Sequence, residues 1–82
     1  MKGEIKMKTT KIKLKYGDLK EFIQVVSSFN SDIYMKKGNY VINAKSIMGI
    51  LSIDFENEVE ISIDSNDEIE ISRFLKEMKG YK

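Results

Sequence analysis

The chain is 82 residues long, with 41% hydrophobic and 33% charged residues, a formal net charge of +1, and neither histidine nor cysteine. A chain this short forms one small domain with a thin core, because it buries only about 60% of the surface its unfolded form exposes. Without histidine or cysteine it has no phosphohistidine, thiol nucleophile, Cys/His metal site or disulfide framework.

Apolar and aromatic residues recur along the whole length, which argues against disorder. No apolar stretch approaches the roughly 20 residues of a membrane span, and the start, Met1 to Lys8, has no apolar run of the signal-peptide kind. A cytoplasmic protein is expected, with no cofactor. The near balance of charge hides an asymmetry. Lys2, Lys6, Lys8, Lys11, Lys13, Lys15 and Lys20 crowd the first stretch against Glu4 and Asp18 alone. Residues 54–70 carry Asp54, Glu56, Glu58, Glu60, Asp64, Asp67, Glu68 and Glu70 with no basic residue.

Residues 1–8 read as an extra N-terminal segment of unassigned role. Lys11-Ile-Lys-Leu-Lys15 then alternates charged and apolar residues, which predicts a strand with one buried face. Tyr16-Gly17 breaks the pattern. Asp18 and Glu21 form an Asp-x-x-Glu capping box, and Leu19, Phe22, Ile23, Val26 and Phe29 follow as one helical stripe. Asn30-Ser31 ends that helix. Ile33 and Met35, a turn at Lys37-Gly-Asn39, and Tyr40, Ile42 and Ala44 alternating back predict a β-hairpin over 32–44.

Ser46 is placed as the N-cap of a short helix that runs on to Ile53. Glu58 to Asp64 alternates again, with Val59, Ile61 and Ile63 facing in. Ile71, Phe74, Leu75 and Met78 share one helical face that ends at Gly80. The start of this last segment is ambiguous: Glu68-Ile-Glu-Ile71 has the period of a strand, while Ser65-x-x-Glu68 is a second capping box. Phe74 to Met78 does not fit a strand face, so a helix is expected. In this element order the first and last strands lie side by side, setting lysines of 11–15 opposite glutamates of 58–60. Opposite charges paired across strands contribute on the order of 0.2–1 kcal/mol each.

The segment Asn43-Ala-Lys-Ser-Ile-Met-Gly-Ile-Leu-Ser-Ile53 resembles HPr, the histidine-containing phosphocarrier of the bacterial sugar phosphotransferase system, and its catabolite-repression relatives. Lys-Ser-Ile-Met-Gly is how that family enters its short second helix. The likeness extends from about Leu19 to the C-terminus, with Gln24 and Ser27 at family-like positions and Val59 to Ile63 matching the last strand. It implies an α+β fold: an open-faced β-sandwich of order β-α-β-β-α-β-α, with a four-stranded antiparallel sheet covered on one face by three helices.

One departure bears on function. The family's phosphoryl-accepting histidine lies between the first strand and first helix, in a pattern like Gly-x-His-Ala-Arg-Pro. Here Leu14 reaches the helix through Lys15-Tyr-Gly-Asp18 alone, without histidine, arginine or proline. A lysine side chain is a cation near neutral pH, and neither it nor Tyr16 is a nitrogen nucleophile there. The phosphocarrier loop therefore reads as shortened and its relay chemistry as lost.

Two features remain as site candidates. The family's regulatory serine, target of an ATP-dependent kinase, matches Ser46, and a helix N-terminus favours negative charge. The same residue also serves as an ordinary N-cap, stabilising by about 1 kcal/mol. Ile47, Met48, Ile50, Leu51 and Ile53 surround a helix too short to bury them all. With Ile50 and Ile53 inward, Ile47, Met48 and Leu51 face out, matching positions through which the family docks its partners. A homodimer interface is the rival use of that patch. The reading is a non-catalytic regulatory protein whose partners are an HPr-type serine kinase and a transcriptional regulator or metabolic enzyme. The alternatives are a nucleic-acid-binding accessory domain using the basic start, which lacks the interleaved aromatics such sites use, and a degenerate structural copy that oligomerises. Clustered carboxylates without an implied pocket, and the absence of a P-loop, nucleophile elbow or EF-hand spacing, leave no enzyme signature.

Overall fold

The computed structural model describes residues 7–82. Its elements are β1 (Met7–Ile12), α1 (Leu19–Ser27), β2 (Asp32–Lys37), β3 (Tyr40–Asn43), α2 (Ile47–Leu51), β4 (Val59–Asp64) and α3 (Glu68–Met78). Short 3₁₀ turns occupy Tyr16–Asp18 and Lys79–Tyr81. The four strands form one antiparallel sheet of order β1-β4-β2-β3, so the first and last strands are neighbours as expected.

Alternation puts Ile12, Ile33, Met35, Val59, Ile61 and Ile63 on one face, where each is buried. Leu19, Phe22 and Val26 of α1, Ile50 of α2, and Ile71, Phe74 and Met78 of α3 close over them. Burial of each such side chain is worth about 1.5–3 kcal/mol. The hairpin turns at Gly38, whose φ of +60° suits a residue without Cβ. The expected α+β architecture is therefore the one observed.

The boundaries differ in instructive ways. β1 covers Met7–Ile12 rather than 11–15, so Met7 and Lys8 belong to the sheet, opposite Asp64 and Ile63. Leu14 is buried as its alternation demanded, but past Ile12 the ladder ends and the Lys13 N–H donates to the Tyr81 carbonyl at 2.8 Å. Asp18 precedes α1, yet its carboxylate accepts the Lys15 N–H at 3.1 Å instead of capping with Glu21. α1 ends at Ser27, short of Asn30. α3 is capped not by Ser65 but by Asp67, which accepts from the Ile69 and Glu70 N–H groups. Ser65 instead accepts the Asp67 N–H at 3.0 Å. Two apolar positions expected inside face water: Tyr40 is on the outermost strand, and Leu75 lies at the margin of the α3 stripe.

The uncovered sheet face is polar. Thr9 and Ser62 hydroxyls meet across β1 and β4 at 2.8 Å, and Lys11 and Lys36 flank Glu60 in register. Lys11 Nζ comes within 3.9 Å of Glu58 Oε1, with both side chains more than half exposed. Such a pair is worth at most about 1 kcal/mol. Lys37 Nζ donates to the Glu58 carbonyl at 2.9 Å. The charge asymmetry is thus offset within the sheet only in part, because Lys13 and Lys15 lie beyond the end of β1. Lys2 and Lys6 fall outside the described residues.

Candidate functional site

Hydrogen bonds at the end of the hairpin deliver Ser46 to the start of α2. The Ala44 N–H donates to the Ile33 carbonyl at 2.9 Å, so β3 stays anchored to β2 up to its last turn. Asn43 then reverses the chain: its side-chain Oδ1 accepts the Lys45 N–H at 2.9 Å, and its carbonyl accepts the Ser46 N–H at 3.0 Å. Ser46 is left extended (φ −103°, ψ 112°), with Oγ accepting the Gly49 N–H at 3.2 Å. The N-cap role is confirmed, and the residue is half-buried. Lys45 Nζ reaches the Phe29 carbonyl at 2.8 Å and ties this corner to the end of α1.

Gly49 sets how closely α2 lies on the sheet. A Cβ at this position would come 3.4 Å from the Ile42 Cβ, so the missing side chain lets the helix rest against β3. With Gly49 and Ile50 inward, the helical period turns Ile47, Met48 and Leu51 to solvent. Ile50 is fully buried, whereas Met48 is 78% exposed and Ile47 and Leu51 are each 45% exposed. Ile53 is half-buried against the core. Ser46 and an apolar outer face thus share one short helix, the placement expected from the sequence.

The connection from β1 to α1 is tight. The Lys15 N–H donates to Asp18 Oδ2 while the Asp18 N–H donates to the Lys15 carbonyl at 2.9 Å, closing a single turn. Tyr16 stands out from it and stacks on Phe55, ring centroids 6.2 Å apart. No imidazole is present in this turn. Elsewhere, among the described residues, no group of three or more acidic residues is placed to hold a metal ion. No helix among them is long and apolar enough to cross a membrane. Lys11, Lys36 and Lys37 interleave with Glu58 and Glu60 at one end of the sheet, so they form no continuous basic stripe.

One cluster was not anticipated. Glu70, buried on α3, accepts from the Ser31 hydroxyl at 2.7 Å, the Ser31 N–H at 3.0 Å and the Asn30 N–H at 3.1 Å. The Ser31 hydroxyl above all, then the two backbone N–H groups and Arg73, hold its carboxyl below the ordinary 4.5, against burial that acts the other way. Arg73 adds bonds to the Ser28 carbonyl and hydroxyl, with its guanidinium 3.8 Å above the Phe29 ring. Together they bind the free end of α1 to α3. The signal was present in the sequence: Glu70 lies four residues before Phe74 and eight before Met78, on the apolar stripe itself. Tyr81 was also missed. Its ring packs edge-on against Phe22 at 5.4 Å, and burial pushes its phenol above the ordinary 10.0.

Comparison with known proteins agrees with this geometry. The family model for PTS-HPr, described as the PTS HPr component phosphorylation site, matches residues 18–79, beginning where the Lys15–Asp18 turn closes. The HPr-like protein Crh of Bacillus subtilis (strain 168) is 32% identical over 60 residues, spanning 73% of this chain and 69% of the relative. Crh of Halalkalibacterium halodurans is 35% identical over 74 residues, spanning 83% and 88%. The phosphocarrier protein HPr of Neisseria meningitidis serogroup A is 33% identical over 64 residues, spanning 74% and 72%. The crystal structure of HPr-C-His from Thermoanaerobacter tengcongensis superposes with a TM-score of 0.71 at 33% identity, covering 92% of each chain. Phosphocarrier HPr of Bacillus anthracis str. Ames shares the fold, with a TM-score of 0.73 at 23% identity over 98% of this chain and 100% of that one. With residues 18–79 matched by the family model, the chain belongs to the HPr family, whose members are phosphocarriers or regulators rather than enzymes.

Proposed function

We propose that this chain is a non-catalytic regulatory member of the family, phosphorylated on Ser46 and docking protein partners through Ile47, Met48 and Leu51. The observation that carries the reading is the coexistence, on one short helix, of a capping serine and an exposed apolar face. A second supports it: the Lys15–Asp18 turn offers no imidazole to carry a phosphoryl group. With no histidine in the chain to accept a phosphoryl group, the function this reading leaves is regulation.

Chemistry at Ser46 favours such a modification. Its Oγ already lies against the Gly49 N–H, and a phosphate there adds anionic acceptors where backbone N–H groups and the helix dipole favour negative charge. The change of charge lies beside Ile47, so a partner reading the apolar face meets phosphoserine at its rim. The partners are cytoplasmic proteins: an HPr-type serine kinase, and a transcriptional regulator or metabolic enzyme of catabolite repression. Incubation with an HPr-type serine kinase and ATP, followed by mass mapping, is expected to place one phosphate on Ser46 and none on Ser46→Ala. If the kinase labels ordinary HPr but leaves Ser46 unmodified, the switch is wrong.

A further inference from the structure

The two outer edges of the sheet are built differently. β1 carries Lys8 and Lys11, the kind of charge that keeps strand edges from pairing. Around β3 the chain runs Gly38-Asn-Tyr-Val-Ile-Asn-Ala44 without a charge. Tyr40 there is 70% exposed and Val41 60% exposed.

Pairing with β2 fixes which backbone groups are free. Ile42 lies opposite Met35 and Tyr40 opposite Lys37, and the Ala44 N–H donates to Ile33. In an antiparallel ladder, residues two apart aim their N–H and C=O groups the same way. Tyr40, Ile42 and Ala44 therefore bond toward β2, and Val41 aims both of its groups outward. No described strand pairs with that side.

We propose that β3 pairs antiparallel with β3 of a second copy about a two-fold axis at Val41, joining the two sheets. Antiparallel pairing sets residues of the same face opposite one another. Val41 meets its own copy, with its free N–H and C=O satisfied in two reciprocal hydrogen bonds. On the helix-covered side, Tyr40 meets Ile42 of the second copy, an aromatic–β-branched pair of the kind that stabilises sheets. The match is self-complementary because the strand is neutral; β1 paired with its own copy brings lysines close to lysines. α2 rests on β3 through Gly49, so the two copies of α2 lie on one side of the joined sheet. The inference stands on the β3 edge and is independent of phosphorylation at Ser46.

The absence of cysteine makes the test direct. Facing residues of a hydrogen-bonded antiparallel pair lie about 5.5 Å apart at Cα, within disulfide range. Val41→Cys is expected to form a covalent dimer under mild oxidation, at least about tenfold faster than Glu56→Cys, an exposed position off this edge. Sedimentation of the unmodified chain should show mass rising with concentration, and Val41→Lys should weaken association by about tenfold or more. Labelling of Ser46 by the kinase should be unchanged in Val41→Lys. Equal cross-linking rates, a monomer at every concentration, or a dimer broken by Met48→Asp but not by Val41→Lys would each overturn the proposal.

Discussion

Glu70→Gln is expected to cost about 2 kcal/mol of stability at pH 7, measured by urea unfolding, although residue 70 lies outside the Ser46–Leu51 segment. Its carboxylate accepts from Asn30 and from Ser31 twice, and hydrogen bonds to a charged group contribute about 1.5–3 kcal/mol each. A glutamine oxygen can keep the Ser31 pair, but its NH₂ then faces the Asn30 N–H, donor against donor. For a domain of this size, 2 kcal/mol is a large share of a total of about 5–15 kcal/mol.

The sign of the pH dependence follows from the lowered pKa. A carboxyl held below its ordinary value contributes stability that is complete above 4.5 and lost as pH falls through the folded-state value. The gap between the native chain and Glu70→Gln should be constant from pH 7 down to about 5, then narrow in more acidic solution. A gap that persists unchanged into strong acid contradicts the account, because it makes the loss one of packing rather than charge.

Met48→Asp should separate docking from folding. Met48 is 78% exposed on the outer side of α2, and surface substitutions away from caps and cores change stability by about 0.5 kcal/mol or less. Central apolar anchors of an interface, by contrast, cost about 2 kcal/mol or more when lost, and an aspartate placed there buries an unpaired charge as well. Affinity for an HPr-type serine kinase is therefore expected to fall by at least about tenfold while the unfolding midpoint stays in place. Unchanged affinity, read by calorimetric titration, excludes the α2 face as the docking surface.

Elements with a clean period were the ones legible from sequence. The stripe Leu19, Phe22, Val26 and the alternations in β2 and β4 each report burial on one face, and burial is what assembled them. Caps were harder, because several polar residues compete for each helix start. Ser65 and Asp67 both stand ahead of α3; Asp67 wins because its carboxylate reaches two N–H groups, while Ser65 serves Asp67. Tyr40 has the right phase for the core but sits on the edge strand, where no neighbouring strand shields it, and strand order is a tertiary property. The same limit hid the Glu70–Ser31 contact, which spans 39 residues of sequence. Ser46 as a cap and the outward set Ile47, Met48 and Leu51 were readable because the local pattern points to them: a serine at a helix start, and too many apolar residues for one face of a short helix.

If function resides on Ser46 and the outer face of α2, a single spectrum shows it. The ¹⁵N-labelled chain, titrated with an HPr-type serine kinase in the absence of ATP, should show amide shifts clustered over residues 46–52, with those of Lys8–Lys13 unmoved. Shifts centred on β1, or none at kinase concentrations that perturb ordinary HPr, contradict it.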